Sequence, residues 1–338
     1  MARLRDHGGN LDWAVGQYGG QAENWIDLST GINRSPYPLP QLSRSAWLQL
    51  PTAGSLNALH DAARAAFKSS SPILALAGAQ AAIQLLPRIV PPGQVRVLGP
   101  TYNEHAAAFR AARWNVEEVT TFEALVGADI AVVVNPNNPD GRVHVRDPLL
   151  KLSTTVGRLV VDESFVDPTP GLSLAPEAQA AGLLVLRSFG KFYGLAGLRL
   201  GFVLGPQEDI SLLTELAGPW PISGAAIEIG CAALRDSDWA VETAARLVVD
   251  SRRLDALARQ AGWSQAGGTT LFRLYETSDS AQAQTMLARH HIWSRAFPWS
   301  KHLLRLGLPG NEREWNRLGT ALGSWCQHIS SRPGASSD

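Results

Sequence analysis

A serine, a lysine and an arginine share one glycine-punctuated run, Ser188-Phe189-Gly190-Lys191-Phe192-Tyr193-Gly194-Leu195-Ala196-Gly197-Leu198-Arg199-Leu200-Gly201. Apolar stretches at 182–186 and 200–204 flank it and read as buried strands. An ammonium between buried strands is costly unless it is paired or neutralised. A lysine that works as an amine nucleophile meets that condition, because it attacks a carbonyl in its deprotonated form and is then held in an imine. Ser188 and Arg199 could hold a phosphate beside it, the arginine with its two-pronged fork. A lone lysine in a glycine loop is more often a surface side chain. The whole pattern argues against that here.

Other candidates each follow a predicted strand, which is where open α/β sheets bind ligands. Gly78-Ala79-Gln80 opens a helix, and the amides at its start could take an anion. Tyr102 follows Pro100-Thr101, and an aromatic there could stack on a flat ring. Asn138 stands in Asn-Pro-Asn-Asn-Pro-Asp-Gly, which by itself reads as a turn. Asp162 ends the apolar run Leu159-Val160-Val161, and a carboxylate in that place needs a partner. Near the C-terminus, period two in His302-Leu303-Leu304-Arg305-Leu306-Gly307-Leu308 puts three leucines on one face and Arg305 on the other. Arg295 lies ten residues earlier, where a surface ion pair is as good a reading as an anion site. At the other end, Asp6-His7-Gly8-Gly9-Asn10 is polar. It precedes Trp25-Ile26-Asp27-Leu28-Ser29-Thr30-Gly31-Ile32-Asn33, a polar run between apolar residues that looks built to dock.

Positioning these groups takes an alternation of elements. Strands are predicted at 73–77, 95–98, 115–119, 129–134, 158–161 and 182–186, with helices between most of them. Such alternation implies a mostly parallel sheet covered by helices, an α/β fold. The segment 55–67 has helical spacing with Ser55 as a plausible N-cap. Prolines at 36, 38 and 40 exclude helix, so the segment before them reads as an extended arm over the surface. After residue 206 the texture changes to helices and short strands, a smaller α+β domain. The expected division is an N-terminal arm at 1–45 contributing to the substrate site, a large domain at 46–217, a small domain at 218–330 and a disordered tail at 331–338.

Composition excludes several classes. Of 338 residues, 30 are basic and 30 acidic, so no net charge points to nucleic acid or an anionic membrane. No apolar stretch is long enough to span a bilayer, and no leader pattern starts the chain. Cys231 and Cys326 are far apart with no CxxC partner, so the expectation is a cytoplasmic protein with reduced thiols. No metal site is expected.

The lysine run resembles that of the fold type I enzymes dependent on pyridoxal 5'-phosphate (PLP), the aspartate aminotransferase family. Its pattern of Ser-x-x-Lys, glycines and Gly-x-Arg-x-Gly is matched at every position. The resemblance implies that Lys191 forms the Schiff base with the cofactor and that Asp162 pairs with the ring nitrogen. It further implies that Tyr102 stacks on the ring, that Asn138 bonds the ring hydroxyl, and that Ala79, Gln80, Ser188 and Arg199 hold the phosphate. Two departures stand out. Phe165 replaces a tyrosine that bonds the ring hydroxyl in many relatives, and Leu50-Pro51 replaces a Tyr-Pro whose tyrosine reaches the neighbouring subunit. His-Gly-Gly-Asn, Asp-Leu-Ser-Thr-Gly-Ile-Asn and Leu-Arg-Leu-Gly-Leu-Pro-Gly are similar to the threonine-phosphate decarboxylases of cobalamin biosynthesis. That similarity implies a small phosphorylated amino acid as substrate, bound through His7, Gly8, Asn33, Arg295 and Arg305, and a homodimer. Histidinol-phosphate aminotransferases share the fold and nearly all of the cofactor residues. A PLP-sensing regulator would need an N-terminal DNA-binding domain, but the roughly 70 residues before the first α/β strand are proline-rich rather than basic and helical.

Overall fold

Ile130 to Val134 bury all five side chains, as a strand covered on both faces must. They belong to the computed structural model of the chain, which describes residues 7–330; the tail expected at 331–338 lies outside the described residues. The chain divides into two compact units. The sheet unit is Pro36–Ala245, and the terminal unit joins the residues up to Ser35 to those from Arg246 on.

In chain order, α1 (Leu11–Tyr18) and β1 (Ile26–Asp27) come first, in the terminal unit. The sheet unit begins with α2 (Ser45–Leu48), α3 (Ala53–Ala66), β2 (Ile73–Leu76), α4 (Ala79–Leu85), β3 (Gln94–Leu98), α5 (Glu104–Ala111) and β4 (Asn115–Val119). It continues with β5 (Ile130–Val134), α6 (Arg146–Ser153), β6 (Arg158–Asp162), β7 (Leu183–Ser188), α7 (Phe189–Phe192), β8 (Gly201–Leu204), α8 (Gln207–Ala217) and α9 (Gly224–Arg235). After α10 (Ser237–Gln260) come β9 (Ser264–Gly268), β10 (Phe272–Glu276), α11 (Ser280–Arg289), β11 (Ile292–Trp293), β12 (Arg295–Phe297), β13 (Ser300–Gly307) and α12 (Glu312–Ser330).

The sheet unit holds a seven-stranded sheet in the order β2-β8-β7-β6-β5-β3-β4. All its pairings are parallel except those of β8, which runs antiparallel to β7 and β2. Alternate residues such as Val95, Val97, Ile130, Val132, Leu184 and Leu186 pack with Ile83, Phe109 and Leu213 of the helices in one core. Each such side chain contributes roughly 1.5–3 kcal/mol relative to exposure, so this face fixes the register of every strand carrying a site residue. The α/β expectation holds, with strand ends within two residues of those read from the pattern. The N-cap of α3 is Thr52 rather than Ser55. Ser55 sits at the third helical position and completes a reciprocal capping box with Thr52.

The terminal unit has a four-stranded sheet, β12-β13-β10-β9, and a parallel pair in which Ile26 lies opposite Ile292 and Asp27 opposite Trp293. This changes the picture of the N-terminal segment. It is not an extended arm over the surface: α1 forms behind an Asn10 cap, and Trp25, Ile26 and Leu28 are buried. Trp25 packs with Ala14, Ala288 and Trp293, and Leu28 O accepts from the Gly307 amide at 2.7 Å. The division at Ser35 and Arg246 therefore differs from the expected limits at 45 and 217. Backbone pairing ties the segment through Ser35 to the C-terminal strands, and residues 218–245 belong with the sheet unit, where α9 packs on α3.

Candidate active site

In the sheet unit one cavity is lined by Ala79, Gln80, Tyr102, Asn138, Asp162, Ser188, Lys191 and Arg199. These are all eight residues expected at the cofactor, and each lies at or beyond a strand end. Lys191 is carried on the one-turn helix α7 directly after β7, rather than on an open loop. Arg199 adopts the left-handed conformation with φ 55°, which a non-glycine residue takes only where its surroundings hold it there. Gly78 allows its approach. With φ 80° it suits no other residue, and a Cβ there would lie 2.7 Å from Arg199 Nη2. The turn of Ala79 and Gln80 and the guanidinium thus close on one another as a cradle for an anion.

The same cavity is lined by Asp162, which is 2% exposed. Its carboxylate accepts from His105 Nε2 at 2.8 Å, from the Ser164 amide at 2.9 Å and from Ser164 Oγ at 2.5 Å. Burial alone would push this carboxyl up, but the bonds from His105 and Ser164 outweigh it and hold it below the ordinary aspartate range. A buried, ionised carboxylate is what a cationic ring nitrogen requires. Lys191 Nζ lies 5.5 Å from the centre of the Phe165 ring, so the departure from tyrosine puts a hydrocarbon face beside the amine. Behind the site, Glu163 is fully buried and pushed up to about 7 by burial. Arg187, the Ser173 hydroxyl and the Leu174 amide offset part of that rise.

The terminal unit has a cavity of its own. His7, Gly8 and Arg295 line it together with Ser29, Gln284 and Trp293. Ser29 is the hub: its hydroxyl accepts from the Gly9 amide at 2.7 Å and donates to Asp27 at 2.6 Å, and its carbonyl accepts from Arg305 Nη2 at 2.6 Å. A Cβ on Gly8 would lie 2.5 Å from Ser29 O, so only glycine lets this loop close. Arg305 is buried beneath the loop, with its guanidinium 5.0 Å from the Phe272 ring centre. Arg305 and Asn33 do not line this cavity. The Asn33 amide oxygen accepts from the Ser35 amide and from Arg246, both at 3.1 Å, which makes it a clasp of its own segment.

Sequence reasoning missed His105, Ser164 and Ser29. The helical pattern of 104–112 absorbed His105, and the two serines each follow an aspartate by two residues, a spacing that allows a hydroxyl to bond a carboxylate.

Residues 9–322 match the family Aminotransferase class I and II. The chain belongs to that family. It is 43% identical over 326 residues to the threonine-phosphate decarboxylase of Pseudomonas aeruginosa, covering 94% of this chain and 97% of the relative. The threonine-phosphate decarboxylase of a Sinorhizobium species is 40% identical over 324 residues, covering 94% and 97%. Among solved structures, histidinol-phosphate aminotransferase from Sinorhizobium meliloti in complex with pyridoxal-5'-phosphate superposes with TM-score 0.78 at 18% identity, covering 96% of each chain. Family members use PLP, and PLP is the cofactor here. The cavity suits it: a cradle that a Cβ on Gly78 would fill, a buried carboxylate and one lysine.

Proposed function

We propose that this chain decarboxylates L-threonine O-3-phosphate to (R)-1-aminopropan-2-yl phosphate, which supplies the aminopropanol linker of cobalamin. The observation that carries this reading is the 43% identity with a threonine-phosphate decarboxylase along nearly the whole chain. When bound, PLP supplies an electron sink for the pair left by the breaking bond at Cα. The chain's own groups do the rest. Lys191 Nζ, which lines the cavity, would hold the cofactor and, as a free amine, could carry a proton to Cα. Asp162, kept ionised by His105 and Ser164, would favour a cationic ring nitrogen. Tyr102 and Asn138 would hold the cofactor's ring, and Ala79, Gln80, Ser188 and Arg199 its phosphate. Arg295, with His7 and Gly8, would seat an anion of the substrate, and Arg305 would hold that loop in place through Ser29 O. Anchoring the charged ends of the substrate would select which bond at Cα breaks.

The proposal includes a homodimer in the cytoplasm. Trp47, Leu48 and Leu50 are more than 60% exposed in one short run, and apolar surface of that kind marks an association site. The deciding experiment incubates the PLP-loaded protein with L-threonine O-3-phosphate and, separately, with histidinol phosphate plus 2-oxoglutarate. Carbon dioxide release without an acceptor is expected. Amino transfer to 2-oxoglutarate without carbon dioxide release would replace this reading with an aminotransferase.

A further inference from the structure

The first turn of α5 places two buried ionisable side chains in succession, Glu104 and His105. His105 is bonded to Asp162. Glu104 serves the phosphate turn instead. The Gln80 amide nitrogen donates to Glu104 Oε2 at 3.1 Å, and the Gln80 amide oxygen accepts from the Tyr102 hydroxyl at 3.2 Å. Gln80 and Tyr102 line the cofactor cavity, whereas Glu104 does not. The His105 ring meets the Tyr102 ring edge to face, with centroids 6.1 Å apart.

An amide by itself has no preferred direction in such a chain. Turned over, Gln80 would offer its nitrogen to the phenol and its oxygen to position 104. A carboxylate accepts only, so Glu104 keeps the amide nitrogen on its own side. The Gln80 oxygen then faces Tyr102, and the phenol must give its proton to it. One buried acceptor therefore sets the direction of both bonds.

We infer that Glu104 is a positioning residue that acts through Gln80 on Tyr102. It commits the phenolic proton to Gln80, so that Tyr102 meets the cofactor with its ring face and does not act as an acid. It also fixes the ring between Gln80 on one side and His105 on the other. This rests on the proposed role of Tyr102 as the residue that stacks on PLP.

The test is a double-mutant cycle on PLP binding, measured by quenching of tryptophan fluorescence as PLP is added to apo protein. Glu104→Gln keeps the shape but can donate, which frees the amide to turn. It is expected to weaken PLP binding by about three- to tenfold, the size of a single hydrogen bond. Tyr102→Phe should weaken binding similarly, and the double variant should be no worse than Tyr102→Phe alone. Glu104→Asp, which keeps an acceptor, should bind better than Glu104→Gln and serves if the latter fails to fold. Losses that add in the double variant, or an unchanged affinity in either single variant, would overturn the inference. Wild-type protein that binds PLP but releases no carbon dioxide from threonine phosphate would sink the proposed reaction and leave this cycle standing.

Discussion

At the scale of single residues, Lys191 and the Asp162–His105 pair make the most direct predictions. Holoprotein should absorb at about 420 nm, as lysine-bound PLP does. Borohydride followed by peptide mass spectrometry should place the cofactor on Lys191; an adduct on any other lysine would defeat the assignment. His105→Ala removes the largest of the contacts that hold the Asp162 carboxyl down and leaves only the Ser164 bonds against burial, which pushes it up. The acid limb of the pH–rate profile should therefore move to higher pH, and an unmoved limb would mean that His105 does not act through Asp162. Asp162→Asn should lower turnover by at least about a hundredfold, since breaking one side of a buried charge pair costs roughly 3–5 kcal/mol. The two arginines differ in kind. Arg305 is buried and bonded to Ser29 O, so Arg305→Ala should lower thermal stability as well as affinity. Arg295→Ala should raise KM about 10- to 100-fold, the value of a charge-assisted hydrogen bond, with little change in melting temperature. An Arg295→Ala enzyme with wild-type KM would return Arg295 to the status of an ordinary surface cation.

At the scale of elements, the end of β6 sets two carboxylates side by side with opposite shifts. Asp162 is held down, while Glu163 is pushed up to about 7 by burial. The folded chain therefore binds a proton at Glu163 that the unfolded chain, titrating near 4.5, has already lost. Stability from this group is full below the unfolded value and declines by a few kcal/mol as pH rises through the folded value near 7. Glu163→Gln, neutral throughout, should flatten that decline when unfolding free energy is measured by denaturant titration between pH 5 and 8; an unchanged slope would assign it to other groups. The strands themselves were legible in the sequence because runs such as 130–134 and 158–161 are short, apolar and bounded by turns. The cofactor residues were legible because each falls at the end of such a run. His105 was not, since one histidine in a helical pattern carries no sign of the strand end it faces. Nor was Glu163, because a carboxylate beside Asp162 says nothing of the Ser173, Leu174 and Arg187 partners that gather around it.

At the scale of the whole molecule, association and chain connectivity are what remain. Trp47→Glu together with Leu48→Glu should convert the proposed dimer to monomer by light scattering coupled to size exclusion; a pair of substitutions that leaves the mass unchanged would move the interface elsewhere. The allocation of the chain to two units was the least legible feature. Its marker is the two-residue parallel pairing of Ile26–Asp27 with Ile292–Trp293, too short to leave a pattern and joining positions far apart in sequence. That pairing also imposes an order on biosynthesis. Trp25, Ile26 and Leu28 are made well over 200 residues before the strand Ile292–Trp293 that covers them. At roughly 5–20 residues per second the interval is on the order of 10–50 s. Throughout it the nascent chain carries an uncovered apolar strand, so this short segment, rather than the sheet, is where a holdase chaperone would find its grip.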